Sequence, residues 1–181
     1  MKLSKHKLIF KNKYGYKFWN DTLEDKSGNK RIYDYLEREE DYVVIIPIDK
    51  DGNFYFVKHY RYPIKKEILE FPVGYINRNE AHLAAAKREL YEEIGGKSSN
   101  VSYLGYVWQA PGILKLKCHI FIANNVETQE VSTDIDEGLK IVKIKAYRLT
   151  KLIRTKKIED SSSLVALARY LTNFESFINI G

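Results

Sequence analysis

Three glutamates, Glu89, Glu92 and Glu93, stand close together in the segment from Gly74 to Gly96, and their spacing suits chemistry. On a helix, positions i, i+3 and i+4 lie on one face, so these side chains share an arc of about 100°. Like charges so close repel one another unless a cation lies among them. Carboxylate oxygens are the ligands that Mg²⁺ and Mn²⁺ prefer, and bound magnesium usually keeps places for water and phosphate. The spacing therefore predicts a metal site for phosphate chemistry.

A solvated helix face is the simpler explanation of a Glu-rich stretch, and Arg88 stands four residues before Glu92, where it can form a surface pair. The rest of the segment argues against that explanation. It fits the pattern G-x5-E-x7-R-E-U-x-E-E-x-G-U, where U is a bulky aliphatic residue, and the chain therefore strongly resembles the Nudix hydrolases. Gly96 departs from the pattern at its last position. The matching residues are Gly74, Glu80, Arg88, Glu89, Leu90, Glu92, Glu93 and Gly95.

The resemblance implies hydrolysis of a pyrophosphate bond by water, with Mg²⁺ as the cofactor and Mn²⁺ as an alternative. It assigns the metal ions to Glu89, Glu92 and Glu93, with the Val73 carbonyl oxygen as a further ligand. Glu89 and Glu93 are thus the predicted catalytic residues of the motif. Bound cations would neutralise the charge that develops on the diphosphate.

Two further residues of the motif are expected to support these ligands. Arg88 is predicted to orient the acidic side chains rather than to bind substrate. Glu80 is predicted to be structural, or to be a partner behind the metal ligands. Gly74 should follow a strand over residues 67–73, where it lets the backbone turn and approach a ligand closely.

The helix that carries the glutamates should begin near Asn79, a plausible N-cap, with Glu80 in its first turn. Gly95 suits the position just after its end. Its apolar stripe should lie beside the carboxylates, so that one edge packs on the core and the acids line the rim of a cleft. The predicted stripe consists of Leu83, Ala86, Leu90 and Ile94.

The residues that flank the motif narrow the resemblance to ADP-ribose pyrophosphatases. The segment KHYRYPIKKEILEFPVG resembles the sequence that leads into the motif in those enzymes. This resemblance implies that Arg61 contacts a phosphate or the ribose of the substrate. The alternative is that Arg61 is a surface arginine among other basic residues. Pro111 has the spacing from the motif associated with ADP-ribose-type substrates. Leu116 stands where the family commonly has an acidic residue that contacts substrate, so GDP-mannose or another nucleotide sugar remains an alternative.

A general base outside the motif is expected in an acidic loop, Asp134-Ile135-Asp136-Glu137-Gly138. Family position favours Glu137, whose side chain is long and whose neighbour Gly138 is flexible, and Asp136 is the second choice. The alternative is a solvated acidic turn, since such loops are common.

The pattern of elements predicts an α+β fold: an α/β/α sandwich around a mixed β-sheet, which is the Nudix fold, with a small N-terminal antiparallel β appendage. Residues 1–40 should form the appendage and residues 41–181 the Nudix domain. Strands are predicted over residues 8–19, 30–39, 42–48, 54–59, 67–73, 101–109, 117–123 and 141–146, and helices over residues 149–154 and 161–177 besides the one that carries the motif.

The composition of the chain indicates which classes of partner it is expected to bind. The net charge of +6 suits a small polyanionic substrate, and no basic run interleaved with aromatic residues predicts nucleic-acid binding. No apolar run suggests export or a membrane span, and the single cysteine, Cys118, fits a reducing cytoplasm. A catalytically weak nucleotide-sugar sensor would be expected to lack a metal glutamate, and RNA-cap removal would call for a basic extension.

The N-terminal strands carry many aromatic side chains and little core of their own. ADP-ribose pyrophosphatases use this region to exchange strands in a dimer and to contact adenine across it, so the resemblance implies a homodimer. The aromatic residues are Tyr14, Tyr16, Phe18, Trp19, Tyr33 and Tyr35.

Overall fold

A computed structural model describes residues 1–129 and 138–173 of the chain. The chain begins with strands β1 (Lys2–Lys11), β2 (Tyr16–Glu24), β3 (Lys30–Arg38), β4 (Tyr42–Pro47) and β5 (Asn53–Arg61). A short 3-10 helix (Tyr62–Ile64), strands β6 (Lys66–Glu70) and β7 (Val73–Tyr75) and helix α1 (His82–Ile94) follow. After α1 come strands β8 (Gly96–Lys97), β9 (Asn100–Trp108), β10 (Leu114–Lys115), β11 (Lys117–Asn124), β12 (Glu127–Thr128) and β13 (Lys140–Lys145), and then helices α2 (Ala146–Arg154) and α3 (Ser161–Asn173).

The chain forms two compact units. The N-terminal unit comprises Met1–Asp41 together with Val107–Cys118, and the second unit comprises Tyr42–Tyr106 with the described residues from His119 onward. In the N-terminal unit, β1, β2 and β3 form an antiparallel meander, and β10 pairs with β3 in parallel, so the sheet is mixed. Every residue of β1 is exposed and no residue of β2 or β3 is fully buried, so this sheet has little core of its own.

The predicted strand over residues 8–19 is wrong, because the chain turns between β1 and β2. The Asn12 side-chain oxygen accepts hydrogen bonds from the backbone N–H groups of Tyr14 and Tyr16, each at 3.0 Å. Gly15 adopts a positive φ of 81°, which glycine tolerates at little cost. An Asn side chain that bonds to the backbone a few residues later is a turn signal that competes with continued strand.

Strand β4 is buried on both faces and organises the second unit. On one face, Val43 and Ile45 belong to the same apolar cluster as Ala86 and Leu90 of α1. Side chains alternate along a strand, so Tyr42 points to the other face. There its hydroxyl lies 2.7 Å from the Ser162 hydroxyl of α3. Helices α1 and α3 therefore cover opposite faces of the sheet, as the predicted α/β/α sandwich requires.

The strands of the second unit form a sheet in the order β7-β4-β11-β9, a second sheet in the order β13-β5-β6, and the small pair β12-β8. Cys118 is buried, as predicted. In the part of the chain that the structure describes, no helix is long and apolar enough to cross a membrane.

Helix α1 differs from the prediction at its start and on its apolar face. Its N-cap is Ala81 without a side-chain cap, and Asn79 lies before the helix with a φ of 66°. Glu80 therefore precedes the first turn. Leu83 is exposed to 42%, whereas Ala85, which was not in the predicted stripe, is buried in the core. The predicted end is confirmed, because Gly95 takes the left-handed C-cap conformation and its N–H bonds to the carbonyls of the last turn.

The other two helices agree with the predicted ones in place but not in extent. Helix α2 begins at Ala146, where the strand was predicted to end, and therefore precedes the predicted start at residue 149. Helix α3 is described from Ser161 to Asn173, and the predicted end at residue 177 lies outside the described residues.

Candidate metal and substrate site

Gly74 lies in the middle of β7, rather than after a strand as predicted, and its backbone meets the Glu89 carboxylate of α1. A β-carbon at position 74 would overlap the Glu89 carboxyl group. Only glycine therefore lets this carboxylate lie against the strand. Glu89 is buried, which raises its pKa because desolvation disfavours the charged form, although the Arg88 guanidinium opposes that effect.

Glu93 lies one helical turn further along α1 and is also buried. Its Oε1 accepts a long hydrogen bond from the Val73 N–H at 3.4 Å, and its Oε2 is buried without a hydrogen-bond partner. Burial raises the pKa of Glu93 well above its ordinary value, and the charge of Glu89 raises it further. Two neighbouring buried carboxylates with an unsatisfied oxygen destabilise a fold unless a ligand compensates them.

Arg88 connects the acidic residues of this segment. Its Nη1 donates to Glu89 at 2.6 Å and to Glu92 at 2.8 Å, and its Nε donates to Glu80 at 2.9 Å. Its Nη2 donates to the Tyr75 carbonyl oxygen at 2.9 Å. These bonds lower the pKa of Glu80 and raise that of Arg88. The guanidinium thus has the contacts of an orienting group, which is the role that the sequence predicts for it.

Two features of these residues suit a divalent cation. The orphaned Glu93 Oε2 is a buried carboxyl oxygen that lacks a hydrogen-bond partner, and the glycine at position 74 leaves space that the Glu89 carboxyl group fills. Both donors are hard oxygens, the type that Mg²⁺ and Mn²⁺ prefer. Glu92 is more open, with 53% of its side chain exposed. No three His, Cys, Asp or Glu side chains among residues 1–129 and 138–173 form a ready-made metal cluster.

The comparisons with known proteins decide the family. A profile described as NUDIX domain matches residues 39–167, which is more than half of the chain. The chain belongs to the Nudix family. Nudix hydrolases generally need divalent metal ions, and this protein is a Nudix pyrophosphohydrolase.

The relatives of this Nudix chain are named for different functions. It is 28% identical over 127 residues to a methanol dehydrogenase activator of Bacillus methanolicus, and 24% identical over 127 residues to an ADP-ribose pyrophosphatase of Bacillus subtilis (strain 168). Both matches cover 69% of this chain and 69% of the relative. It is 25% identical over 146 residues to the ADP compounds hydrolase NudE of Escherichia coli (strain K12), covering 80% of this chain and 78% of that one.

A solved structure confirms the Nudix fold. The crystal structure of an ADP compounds hydrolase matches with a TM-score of 0.85 and covers 97% of this chain and 95% of that chain. The sequence identity is 21%, so the likeness concerns the fold.

Arg61, the predicted phosphate or ribose contact, ends β5 and pairs with Glu70 at the end of β6. Its Nη2 lies 2.6 Å from Glu70 Oε1, and its Nε donates to Glu70 Oε2 at 3.3 Å. Burial raises the pKa of Glu70 to about 7, while the charge of Arg61 opposes this shift. The sequence prediction missed Glu70, although it stands in the same flanking segment as Arg61.

Pro111 lies in the N-terminal unit, where it lines a cavity of about 420 Å³, a size typical of ligand pockets. The Tyr33 hydroxyl donates to the Gly112 carbonyl oxygen at 2.7 Å and ties β3 to the turn that carries Pro111. Leu116 is buried in this unit and takes no part in the lining. The lining includes three aromatic side chains and one residue of each charge: Tyr33, Tyr35, Trp108, Asp21 and Lys115.

Trp108, Asp21 and Lys115 were not among the predicted site residues. Trp108 stands three residues before Pro111, and that proximity is the signal by which the sequence could have indicated it. The predicted loop base Glu137 and its alternative Asp136 lie outside the described residues.

Proposed function

We propose that this Nudix protein hydrolyses the pyrophosphate bond of a nucleoside diphosphate linked to another group, and that ADP-ribose, split to AMP and ribose 5-phosphate, is its substrate. The observation that carries the proposal is the pair of buried carboxylates, Glu89 and Glu93, at Gly74 and Val73. Mg²⁺ is the proposed ion, held by Glu89, Glu92 and Glu93. It would supply positive charge to the diphosphate.

The relatives support the adenine nucleotide. An ADP-ribose pyrophosphatase and an ADP compounds hydrolase are both similar to this chain over more than two thirds of its length. Arg61 supplies a guanidinium suited to bidentate phosphate contact. GDP-mannose is the second candidate, because Leu116 is apolar where the family commonly places an acidic substrate contact.

We also propose that the cavity of the N-terminal unit binds a nucleobase. Three aromatic rings and a proline offer the flat apolar surface on which bases stack. Replacing Trp108 by leucine should raise the Kd for AMP about tenfold, since a stacked base contributes roughly 1–3 kcal/mol. Tyr147→Leu, at an exposed tyrosine of helix α2, is the control. An unchanged Kd for AMP in Trp108→Leu would contradict the proposal for the cavity.

A substrate panel tests the reaction. ADP-ribose, GDP-mannose, NADH and dinucleoside polyphosphates are supplied with Mg²⁺, and phosphate is measured after a phosphatase has acted on the products. We expect the highest kcat/KM with ADP-ribose and no product without added divalent ion. Faster hydrolysis of GDP-mannose would move the proposal to that substrate. Binding of ADP-ribose without hydrolysis of any member would instead favour a nucleotide-sugar sensor.

A further inference from the structure

The Arg61–Glu70 pair joins a partly exposed cation to a buried anion. The Arg61 side chain is 36% exposed, whereas that of Glu70 is only 2% exposed. His59, on the same strand as Arg61, has its Nδ1 3.4 Å from the same Glu70 oxygen that Arg61 contacts. That oxygen, Oε1, accepts no hydrogen bond of good geometry, so its contact with the guanidinium is chiefly an ion pair.

A buried carboxylate is costly, and a fold that needed only stability would place an apolar side chain there. Desolvation acts against the charge of Glu70, and so does the nearby Asp160. Arg61 is the group that opposes both effects. The partner of a surface arginine would ordinarily be exposed as well, and the pair would contribute little. This arrangement instead fixes one edge of the guanidinium in place.

The held edge leaves donors for a ligand. Arg61 uses Nε and Nη2 on Glu70, and within the described residues its Nη1 makes no hydrogen bond. The charges of Arg61 and Glu70 both act on Glu93, so the pair lies near the acidic residues of the Nudix motif. Glu70 is also only three residues before Val73, whose N–H contacts Glu93.

We propose that Glu70 is a positioning residue, which holds the Arg61 guanidinium in the orientation that binds a substrate phosphate. The inference rests on the proposed function, in which Arg61 is the phosphate contact. Glu70 does not touch the substrate in this proposal and acts only through Arg61. An arginine held beforehand in its binding geometry loses less conformational freedom when the substrate binds.

A double-mutant cycle tests this dependence with ADP-ribose and Mg²⁺. Glu70→Gln keeps the shape of the side chain and removes its charge, and it should raise KM by about 10- to 100-fold with a smaller change in kcat. In an Arg61→Ala background, the same change should alter KM by less than about twofold, because the group through which Glu70 acts is gone. An equal effect in both backgrounds, or an unchanged KM in Glu70→Gln alone, would overturn the proposal.

Two further variants keep the test decisive. Glu67→Gln, on the same strand, removes an exposed carboxylate that pairs with Lys140, and it should leave KM unchanged. If Glu70→Gln does not fold, Arg61→Lys tests the same pair by changing the arginine instead. It keeps the charge but loses the fork of donors, so it should raise KM in the same range. A wild-type KM in Arg61→Lys would contradict the proposal.

A readout that does not depend on activity separates this inference from the proposed function. The Arg61 Nε–H resonance, identified by its loss in Arg61→Lys, should exchange slowly with water in the wild-type protein and at least about tenfold faster in Glu70→Gln. Equal exchange in the two proteins would overturn the positioning role. If the wild-type protein hydrolyses no member of the substrate panel, the proposed function fails, and the exchange measurement still decides whether Glu70 holds Arg61.

Discussion

The Glu89 carboxylate of helix α1 lies in the space where a β-carbon at position 74 would stand. This relationship explains two positions of the Nudix motif together, because the glycine is needed for the glutamate to reach its place. Strand β7 and helix α1, which follow one another along the chain, thereby come together at the proposed metal site.

Gly74→Ala tests the relationship directly. The added methyl group must displace Glu89, so we expect kcat with ADP-ribose to fall about 100-fold. The free energy of unfolding should fall by about 1–3 kcal/mol, because a close-packed site resists an added carbon. Steady-state kinetics measures kcat, and urea unfolding measures the free energy of unfolding. Gly112→Ala is the control for stability, because its β-carbon meets nothing within 4 Å. A Gly74→Ala protein with wild-type kcat and stability would contradict the account.

Glu89→Gln and Glu93→Gln should each fold and lose most of their turnover. Each change removes an anionic oxygen while keeping the shape of the side chain. If the lost charge stabilises the transition state by about 3 kcal/mol, kcat falls about 100-fold at saturating magnesium. Circular dichroism checks the fold, and Glu127→Gln, at an exposed glutamate, is the kinetic control. Wild-type turnover in both variants would refute the assignment of the metal site.

The stability of the metal-free protein should fall as the pH rises. Burial raises the pKa of Glu93 and of Glu89 above the ordinary value of 4.5, and that of Glu70 to about 7. The folded protein therefore binds more protons than the unfolded chain from about pH 4.5 upward, and each such group opposes folding once it must ionise. With a chelator present, urea unfolding should show a lower free energy of unfolding at pH 8 than at pH 5.

Magnesium and one substitution provide the matched comparisons for that measurement. At pH 8, Mg²⁺ should restore stability, since it binds the folded form alone. Glu93→Gln cannot ionise, so its metal-free stability should depend less on pH than that of the wild-type protein. An equal free energy of unfolding at pH 5 and pH 8 without metal would show that folding does not raise the pKa of these carboxyl groups.

The sequence predicted the parts of this fold that depend on local chemistry. Gly95 ends α1 because glycine adopts the left-handed conformation at little cost, and that tendency is visible in one sequence. Asn79 looked equally suited to begin the helix, but Glu80 is held by Arg88 and by the Asn77 N–H, which keeps both residues outside it. A contact eight residues along the chain thus overrode a local preference.

The sequence predicted the site residues that belong to a regularly spaced motif. It did not predict the residues that come together only through tertiary contacts. Glu89, Glu92 and Glu93 follow from one helical period. Glu70 becomes informative only in the folded β5–β6 hairpin. The register places Val57 opposite Glu70, and the Arg61 side chain, nine residues away in sequence, reaches the same carboxylate. The aromatic cavity likewise requires β10 to pair with β3, which joins segments about 80 residues apart.

Assembly as a homodimer remains a prediction, and the N-terminal sheet supports it. Leu3, Phe10 and Ile32 each have more than half of their surface exposed, and contact with a second chain would bury these apolar residues. Light scattering at micromolar concentration should give twice the mass of one chain, and Phe10→Glu with Ile32→Glu should reduce it. Tyr147→Glu, at an exposed tyrosine on α2, is the control. A wild-type monomer would count against the dimer.

Glu137 is the predicted general base, and it lies outside the described residues. A base takes a proton in the transition state, so Glu137→Gln should depress kcat with ADP-ribose by about 100-fold or more and change KM far less. It should also abolish the acidic limb of the pH–rate profile, because that limb reports protonation of the base. Asp136→Asn, at the neighbouring carboxylate, is the matched control and should keep both the rate and the limb. If Glu137→Gln keeps its kcat, or loses only affinity, the role passes to Asp136 or to no residue of this loop.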